Sequence, residues 1–133
     1  MPADNPARIT GVDFVHLPTE NLEAAMEFYG TVLELPRSMH REGMFAEYET
    51  GNLTLAVLDS ASVGLTFAAS RNPIALHVAD VAAARAALES RGVTFQGDTF
   101  DTSVCQMAFF ADPDGNALML HHRYAPRHSE LAR

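Results

Sequence analysis

Three histidines, His16, His77 and His121, occur in apolar, β-branched segments that are typical of strands. Imidazole titrates near neutral pH and is a common zinc ligand, so histidines gathered on one surface could move protons or hold a metal ion. A histidine on a strand is more often a hydrogen-bonded packing residue or a ligand contact. Proton transfer, metal binding and plain ligand contact therefore remain three alternatives for these side chains.

Acidic residues offer a second kind of chemistry. Glu47 and Glu49 alternate with apolar residues in the predicted strand Met44–Glu49, so one face of that strand is acidic. Such a face is usually solvated, but Glu47 could accept a proton or contact a cationic ligand if the strand lines a binding site. The single cysteine, Cys105, begins an apolar strand and is expected to pack as a small hydrophobic residue.

The composition excludes several classes of function. The chain has 133 residues, 47% of them hydrophobic and 20% charged, which is typical of one globular domain. The net charge of −8 and the absence of a Lys/Arg cluster argue against nucleic-acid binding and favour cationic or neutral ligands. No apolar run reaches the roughly 20 residues that a membrane span needs. With one cysteine and no apolar N-terminal segment, we expect a cytoplasmic protein.

The elements that must position these residues can be predicted from periodicity and turn residues. In the first half, a strand over Val12–Leu17 precedes a helix that Asn21 caps and whose apolar residues fall on one face. Three strands are predicted to follow, at about 36–42, Met44–Glu49 and Leu53–Leu58.

The second half repeats this order. A strand over Ile74–Val78 precedes a helix from the cap Asp80 to the stop at Gly92. Strands are then predicted at Val93–Gln96, Val104–Phe110 and Ala117–His121, with a strong turn signal at Asp112-Pro113-Asp114-Gly115-Asn116 between the last two.

The two halves agree in their internal spacing. Phe14 lies seven residues before Asn21 and Pro73 lies seven before Asp80, so both pairs are offset by 59 residues. One helix covers only one face of a sheet. Two such units should therefore pair with their helices outside and a concave sheet face inside, where ligands usually bind.

Two further segments are specific to a known family: the helix end Glu27-Phe28-Tyr29 and the stretch Leu33-Glu34-Leu35-Pro36. Together with the duplication and the late turn, they make residues 10–123 resemble the vicinal oxygen chelate superfamily. That group includes glyoxalase I, bleomycin-resistance proteins, fosfomycin-resistance transferases and extradiol dioxygenases. The resemblance implies an α+β fold with two βαβββ modules that form a cup-shaped mixed sheet with helices outside, often in a homodimer.

On this basis the chain divides into an N-terminal arm, one domain and a C-terminal tail. The arm covers 1–9, module one about 10–60, the linker 61–72, module two about 73–123 and the tail 124–133.

The resemblance also implies a divalent metal held by four side chains, usually His or Glu. The corresponding positions here are Phe14, Pro73, Met119 and either Thr54 or Ala56. Phenylalanine and proline side chains offer no lone pair, and the methionine thioether suits soft ions only. We therefore expect no metal of the family's kind and no other cofactor.

The histidines lie close to these positions without occupying them. His16 is two residues past Phe14, His77 four past Pro73, and His121 two past Met119. Alternation along a strand puts each histidine on the same face as its neighbouring ligand position. The residues predicted to line the cup are Phe14, His16, Glu47, His77, Met119 and His121.

Three hypotheses follow for function. The first is a metal-free protein that binds a small, partly apolar molecule in the cup. The second is a lyase or isomerase that uses His16, His77 and His121 as metal ligands or as acid–base groups. The third is a fold retained for partner interaction, with no ligand.

Overall fold

The computed structural model describes residues 5–126. The first four residues of the predicted arm and residues 127–133 of the predicted tail lie outside the described range. Among the described residues, no helix is long and apolar enough to cross a membrane.

The first module contains one helix and four strands. Strand β1 (Phe14–Thr19) leads into helix α1 (Leu22–Met26), which continues as a π-helix over Glu27–Val32. Strands β2 (Arg37–Arg41), β3 (Phe45–Glu49) and β4 (Thr54–Asp59) follow. The sheet order is β1-β4-β3-β2, with β1 parallel to β4 and the remaining pairs antiparallel.

The second module repeats this topology after a short 3₁₀ helix (Ser60–Val63) and an irregular segment. Its elements are β5 (Ile74–His77), α2 (Val81–Ser90), β6 (Gln96–Asp101), β7 (Cys105–Ala111) and β8 (Ala117–Arg123). The order β5-β8-β7-β6 matches that of the first sheet, again with one parallel pair. The prediction of two βαβββ modules is confirmed.

The duplication is visible at the level of hydrogen bonds. The Asn21 side chain accepts from the Ala24 amide at 3.1 Å, and the Asp80 side chain accepts from the Ala83 amide at 3.0 Å. Both cap residues have extended backbone, with φ of −144° and −147°. Each cap satisfies an amide that the first helical turn leaves without a partner, so both helices start as the sequence predicts.

One predicted strand is wrong. Val93–Gln96 was expected to pair, but β6 begins only at Gln96 and runs to Asp101. Gly92, with a φ of +93°, turns the chain so that the Val93 amide bonds the Leu88 carbonyl and closes the helix. Phe95 is then buried against Phe110, with ring centroids 5.0 Å apart. The apolar run therefore closes the helix and fills the core, and a polar edge strand follows it.

The core lies between the helices and one face of each sheet, and it is continuous through both modules. Leu17, Tyr48 and Leu55 contribute from the first sheet, and Phe110 and Leu118 from the second. Every one of these side chains is at most 2% exposed. Among residues 5–126, no helix covers the other face of either sheet.

Candidate functional site

The open face of the first sheet is formed by alternate residues whose neighbours point into the core. Leu17, Leu55 and Val57 are almost completely buried on the helix side. Their neighbours in sequence therefore lie on the opposite side. These open-face residues include Phe14 and His16 of β1, Thr54, Ala56 and Leu58 of β4, Phe45, Glu47 and Glu49 of β3, and Met39 and Arg41 of β2.

One row of this face carries a base and an acid on the two strands that flank β4. His16 pairs with Ala56, Ala56 pairs with Glu47, and Glu47 pairs with Met39. Neighbouring strands lie about 4.8 Å apart, which separates the backbones of His16 and Glu47 by roughly 10 Å. Because Ala56 has only a methyl group, the two longer side chains can approach each other above it. The Phe14 and His16 rings pack at 5.0 Å.

The neighbouring row contains a carboxylate that we did not predict as a site residue. Glu49 accepts hydrogen bonds from the hydroxyls of Ser38 and Thr54, the latter at 2.7 Å. These bonds, that of Ser38 first, lower the pKa of Glu49 below its usual value. Because Glu49 lies two residues after Glu47 on the same strand, the sequence predicts that both side chains lie on one face. The hydroxyl donors could not be identified from the sequence, since Ser38 belongs to another strand.

The open face of the second sheet is richer in sulfur and aromatic rings. Met119 pairs with Ala75 and Phe109, and His121 pairs with His77 and Met107. His122, the next residue, points the other way, with its Nδ1 3.0 Å from the Val78 carbonyl oxygen. The ring of His77, at the sheet edge, lies 5.7 Å from the ring of His122.

The family's metal positions do not fit a metal in this structure. Ala75 pairs with Met119 as His16 pairs with Ala56, so Ala56, and not Thr54, is the counterpart of Met119. The four positions then offer one thioether and no oxygen or nitrogen donor. Within residues 5–126, no three His, Cys, Asp or Glu side chains of one chain are grouped to hold a metal. His77 and His121 are neighbours, whereas His16 lies on the other sheet.

Both open faces are exposed in a single chain. Phe14 is 49% exposed and Met39 is 53% exposed on the first sheet, and Phe100 of the second is 56% exposed. Apolar side chains that are exposed together on a sheet face can mark a binding or association surface.

A buried polar network joins the two modules at the turn that follows β7. The Tyr29 hydroxyl donates to Asp112 at 2.7 Å, and the Asn116 amide donates to Asp112 and to the Pro18 carbonyl, both at 2.8 Å. Burial first, and then the adjacent Asp112 carboxylate, raise the pKa of Tyr29 well above its usual value. The sequence predicted a turn here. The structure shows that the turn also anchors the end of β1.

Comparison with known proteins agrees with this geometry. A family model described as the glyoxalase/bleomycin resistance protein/dioxygenase superfamily matches residues 11–120. No curated protein matches the chain.

Several solved structures share the fold. A lactoylglutathione lyase of Agrobacterium tumefaciens superposes with a TM-score of 0.74 at 16% identity, covering 86% of this chain and 94% of the other. A superfamily member from Nocardioides gives 0.72 at 22% identity, covering 92% and 91%. An antibiotic binding protein of a Streptomyces species gives 0.73 at 24% identity, covering 86% and 97%. At these identities the likeness shows the fold alone.

Proposed function

The chain belongs to the glyoxalase/bleomycin resistance protein/dioxygenase superfamily, and on that premise we propose that it binds a small, partly apolar, cationic molecule without a metal. The site is the open face of the first sheet, closed by the second sheet of another copy. The residues we assign to ligand contact are Phe14, His16, Glu47 and Glu49 from one copy and His77, Met119 and His121 from the other.

The observation that carries this proposal is the pair of carboxylates beside exposed aromatic and thioether groups. Glu47 and Glu49 lie two residues apart on one strand face, next to Phe14 and Met39. The hydroxyl bonds that lower the pKa of Glu49 favour its charged form. An ionised carboxylate and an aromatic face both attract an organic cation.

Closure by a second copy is part of the proposal because one chain leaves each half open. The second face supplies Phe109, Met107 and Met119, which are apolar and polarisable and suit the body of an organic ligand. The Streptomyces structure of the same fold is an antibiotic binding protein. It supports ligand sequestration as a use of this architecture.

The test is a ligand screen with matched cationic and neutral compounds. Aromatic amines and guanidines should raise the melting temperature, whereas neutral compounds of the same shape should raise it less. Glu47→Gln should weaken the best cationic hit by roughly tenfold or more, because a charge-assisted bond is lost. Glu42→Gln, an exposed residue of the β2–β3 turn, is the matched control and should leave affinity unchanged.

The proposal would be contradicted if neutral and cationic compounds bound equally well and if Glu47→Gln kept the affinity of the unmodified protein.

A second candidate function rests on His16 and Glu47 lying in one row of the sheet. An imidazole and a carboxylate so placed could act as a general acid–base pair in a lyase or isomerase. Each hit, together with small dicarbonyl and thiol-adduct compounds, should be assayed for turnover. Turnover lowered about 10²–10⁴-fold by His16→Gln would favour this enzyme over the binding protein.

A further inference from the structure

A second cleft, of about 710 Å³, lies on the helix side of the sheets at the junction of the modules. It lies between β5 and α2 on one side and the β3–β4 turn on the other. Its aliphatic wall includes Leu33, Leu53, Ile74, Ala84, Ala87 and Leu120. The volume falls within the range of roughly 300–1,000 Å³ that is typical of small-molecule sites.

The duplication explains why this junction is more open than its counterpart. At the counterpart, the β7–β8 turn packs onto the first module, and Phe28 and Tyr29 fill most of the space, which leaves a smaller cleft of about 400 Å³. The residues at the same distance after the cap of α2 are Ala87 and Leu88. Replacement of two aromatic rings by a methyl and an isobutyl group leaves the second junction unfilled. Protein interiors are normally close-packed, so an aliphatic cleft of this size is a distinct feature.

The cleft differs in charged groups from the rest of the acidic chain. Although the protein carries 17 acidic residues, no carboxylate of residues 5–126 lines the cleft, whereas Arg91 and His77 do. The Arg91 guanidinium is held at the rim by the Val32 carbonyl at 2.8 Å and by Glu34 at 3.2 Å. A larger cleft of about 940 Å³ beside α1 shows the contrast, since it is bordered by Glu20, Glu23, Glu27, Glu42 and Asp59.

The edge of β5 adds polar groups to this apolar wall. The Val78 amide bonds the His121 carbonyl in the neighbouring strand β8. Backbone groups alternate in direction along a strand, so the peptide groups of Ala75 and His77 point away from β8. Both residues line the cleft. Their amides can meet an oxygen of a bound molecule.

We propose that this cleft is a second binding site that takes a small anionic amphiphile: an aliphatic or aromatic body with one carboxylate or sulfonate. The body lies against the aliphatic wall and the anionic group faces Arg91 and the free edge of β5. The site lies on the helix side of the sheets and shares only the edge strand β5, through Ala75 and His77, with the open face of the second sheet. It differs from the proposed cationic site in the charge that it selects. It does not depend on the proposed function.

The experiment uses the full chain and two fluorescent probes of nearly the same shape. 8-Anilinonaphthalene-1-sulfonate is anionic, and N-phenyl-1-naphthylamine is its neutral analogue. Ala87→Phe, which introduces the ring that the first module has at the equivalent position, should weaken both probes at least tenfold. Arg91→Gln should weaken the sulfonate by roughly threefold to fivefold and leave the neutral probe unchanged. Decanoate should displace both probes.

Methyl NMR of the unmodified protein provides a test that does not depend on how the variants fold. The sulfonate should shift the methyl signals of Ile74 and Leu53 in the cleft and leave those of Met39 and Met119 on the open faces unchanged. Met39→Gln is the matched control and should keep full probe affinity. Shifts confined to the methionines, or unchanged affinity in a folded Ala87→Phe variant, would overturn the proposal.

Discussion

Among single residues, Tyr29 shows most directly how burial changes side-chain chemistry. Its hydroxyl has no access to water and donates to the buried Asp112, which also accepts from Asn116. Loss of the phenol proton would place two negative charges side by side in the core. The same network anchors the end of β1, so this one bond affects the position of the strand that carries Phe14 and His16.

The raised pKa of Tyr29 predicts a loss of stability at high pH. In the unfolded chain a tyrosine loses its proton near its usual value of 10.0, whereas folded Tyr29 keeps it. The contribution is fully present below pH 10 and falls as the pH rises further, because the unfolded state binds fewer protons. In Tyr29→Phe, the free energy of unfolding should drop by about 1.5–3 kcal/mol at pH 7. Above pH 10, the free energy of unfolding of this variant should fall less steeply with pH than that of the unmodified protein. The difference in slope should correspond to one proton.

Urea unfolding at a series of pH values measures both effects. Tyr48→Phe is the comparison variant, because the Tyr48 hydroxyl donates to the Met26 carbonyl at 3.4 Å and not to a buried carboxylate. Its loss of stability at pH 7 should therefore be smaller than that of Tyr29→Phe. If the free energies of unfolding of Tyr29→Phe and of the unmodified protein fall in parallel above pH 10, folded Tyr29 does not retain its proton there.

The residues at the metal positions predict substoichiometric metal. Phe14, Pro73, Ala56 and Met119 offer a single soft donor, so protein purified without chelator should hold well under one divalent ion per chain. Elemental analysis gives the count. One zinc, nickel or iron per chain that disappears in His16→Ala would instead show that histidines from two copies assemble a site.

At the level of elements, the two helices depend on equivalent caps. Asn21→Ala and Asp80→Ala should each lower the free energy of unfolding by about 1 kcal/mol, since each frees one amide in a first turn. Asp80→Asn keeps an acceptor oxygen and should change stability by only a few tenths of a kcal/mol. Denaturant titration compares the three. Equal losses for Asp80→Ala and Asp80→Asn would mean that charge, and not the hydrogen bond, is what matters.

The elements that the sequence predicted well are those with local causes. Caps, glycines of positive φ and alternation of apolar residues fix α2, β3 and β4 within a residue or two. The π-helix over Glu27–Val32 and the late start of β6 were not predicted. Both segments contact residues that are distant in the sequence. Tyr48 packs against Gly30, and Phe110 draws Phe95 into the core.

The candidate site also has one part that the sequence predicts from local patterns and another part that depends on how the modules pack. Alternation along β1 and β3 was enough to group Phe14 with His16 and to give Glu47 an acidic neighbour. The sequence could not show that the second sheet of the same chain does not cover this group, because that depends on how the modules pack. The polar junction at Asp112 and the open cleft beside Ala87 have the same origin, since they arise only when both modules are in place.

At the level of the whole molecule, we expect the open faces to determine how copies associate. Each chain has two four-stranded sheets, and both expose apolar side chains on their open faces. This arrangement suits a C2 dimer in which the first sheet of one copy faces the second sheet of the other. A stable interface of this kind buries about 1,200–2,000 Å² or more. The net charge of −8 on each copy opposes association, and salt screens that repulsion.

We therefore predict a homodimer whose interface is formed by the open faces. Added salt should strengthen the association of the two copies. Light scattering at micromolar concentration should give twice the 14.5 kDa of one chain. Phe14→Glu places a charge in the interface and should shift the equilibrium to monomer, since truncation or charging of a central aromatic contact typically costs 2 kcal/mol or more. Val63→Glu is the matched control, because Val63 is 46% exposed outside the sheets. A monomer at high micromolar concentration, or equal dissociation in both variants, would show that the cup is not closed by a second copy.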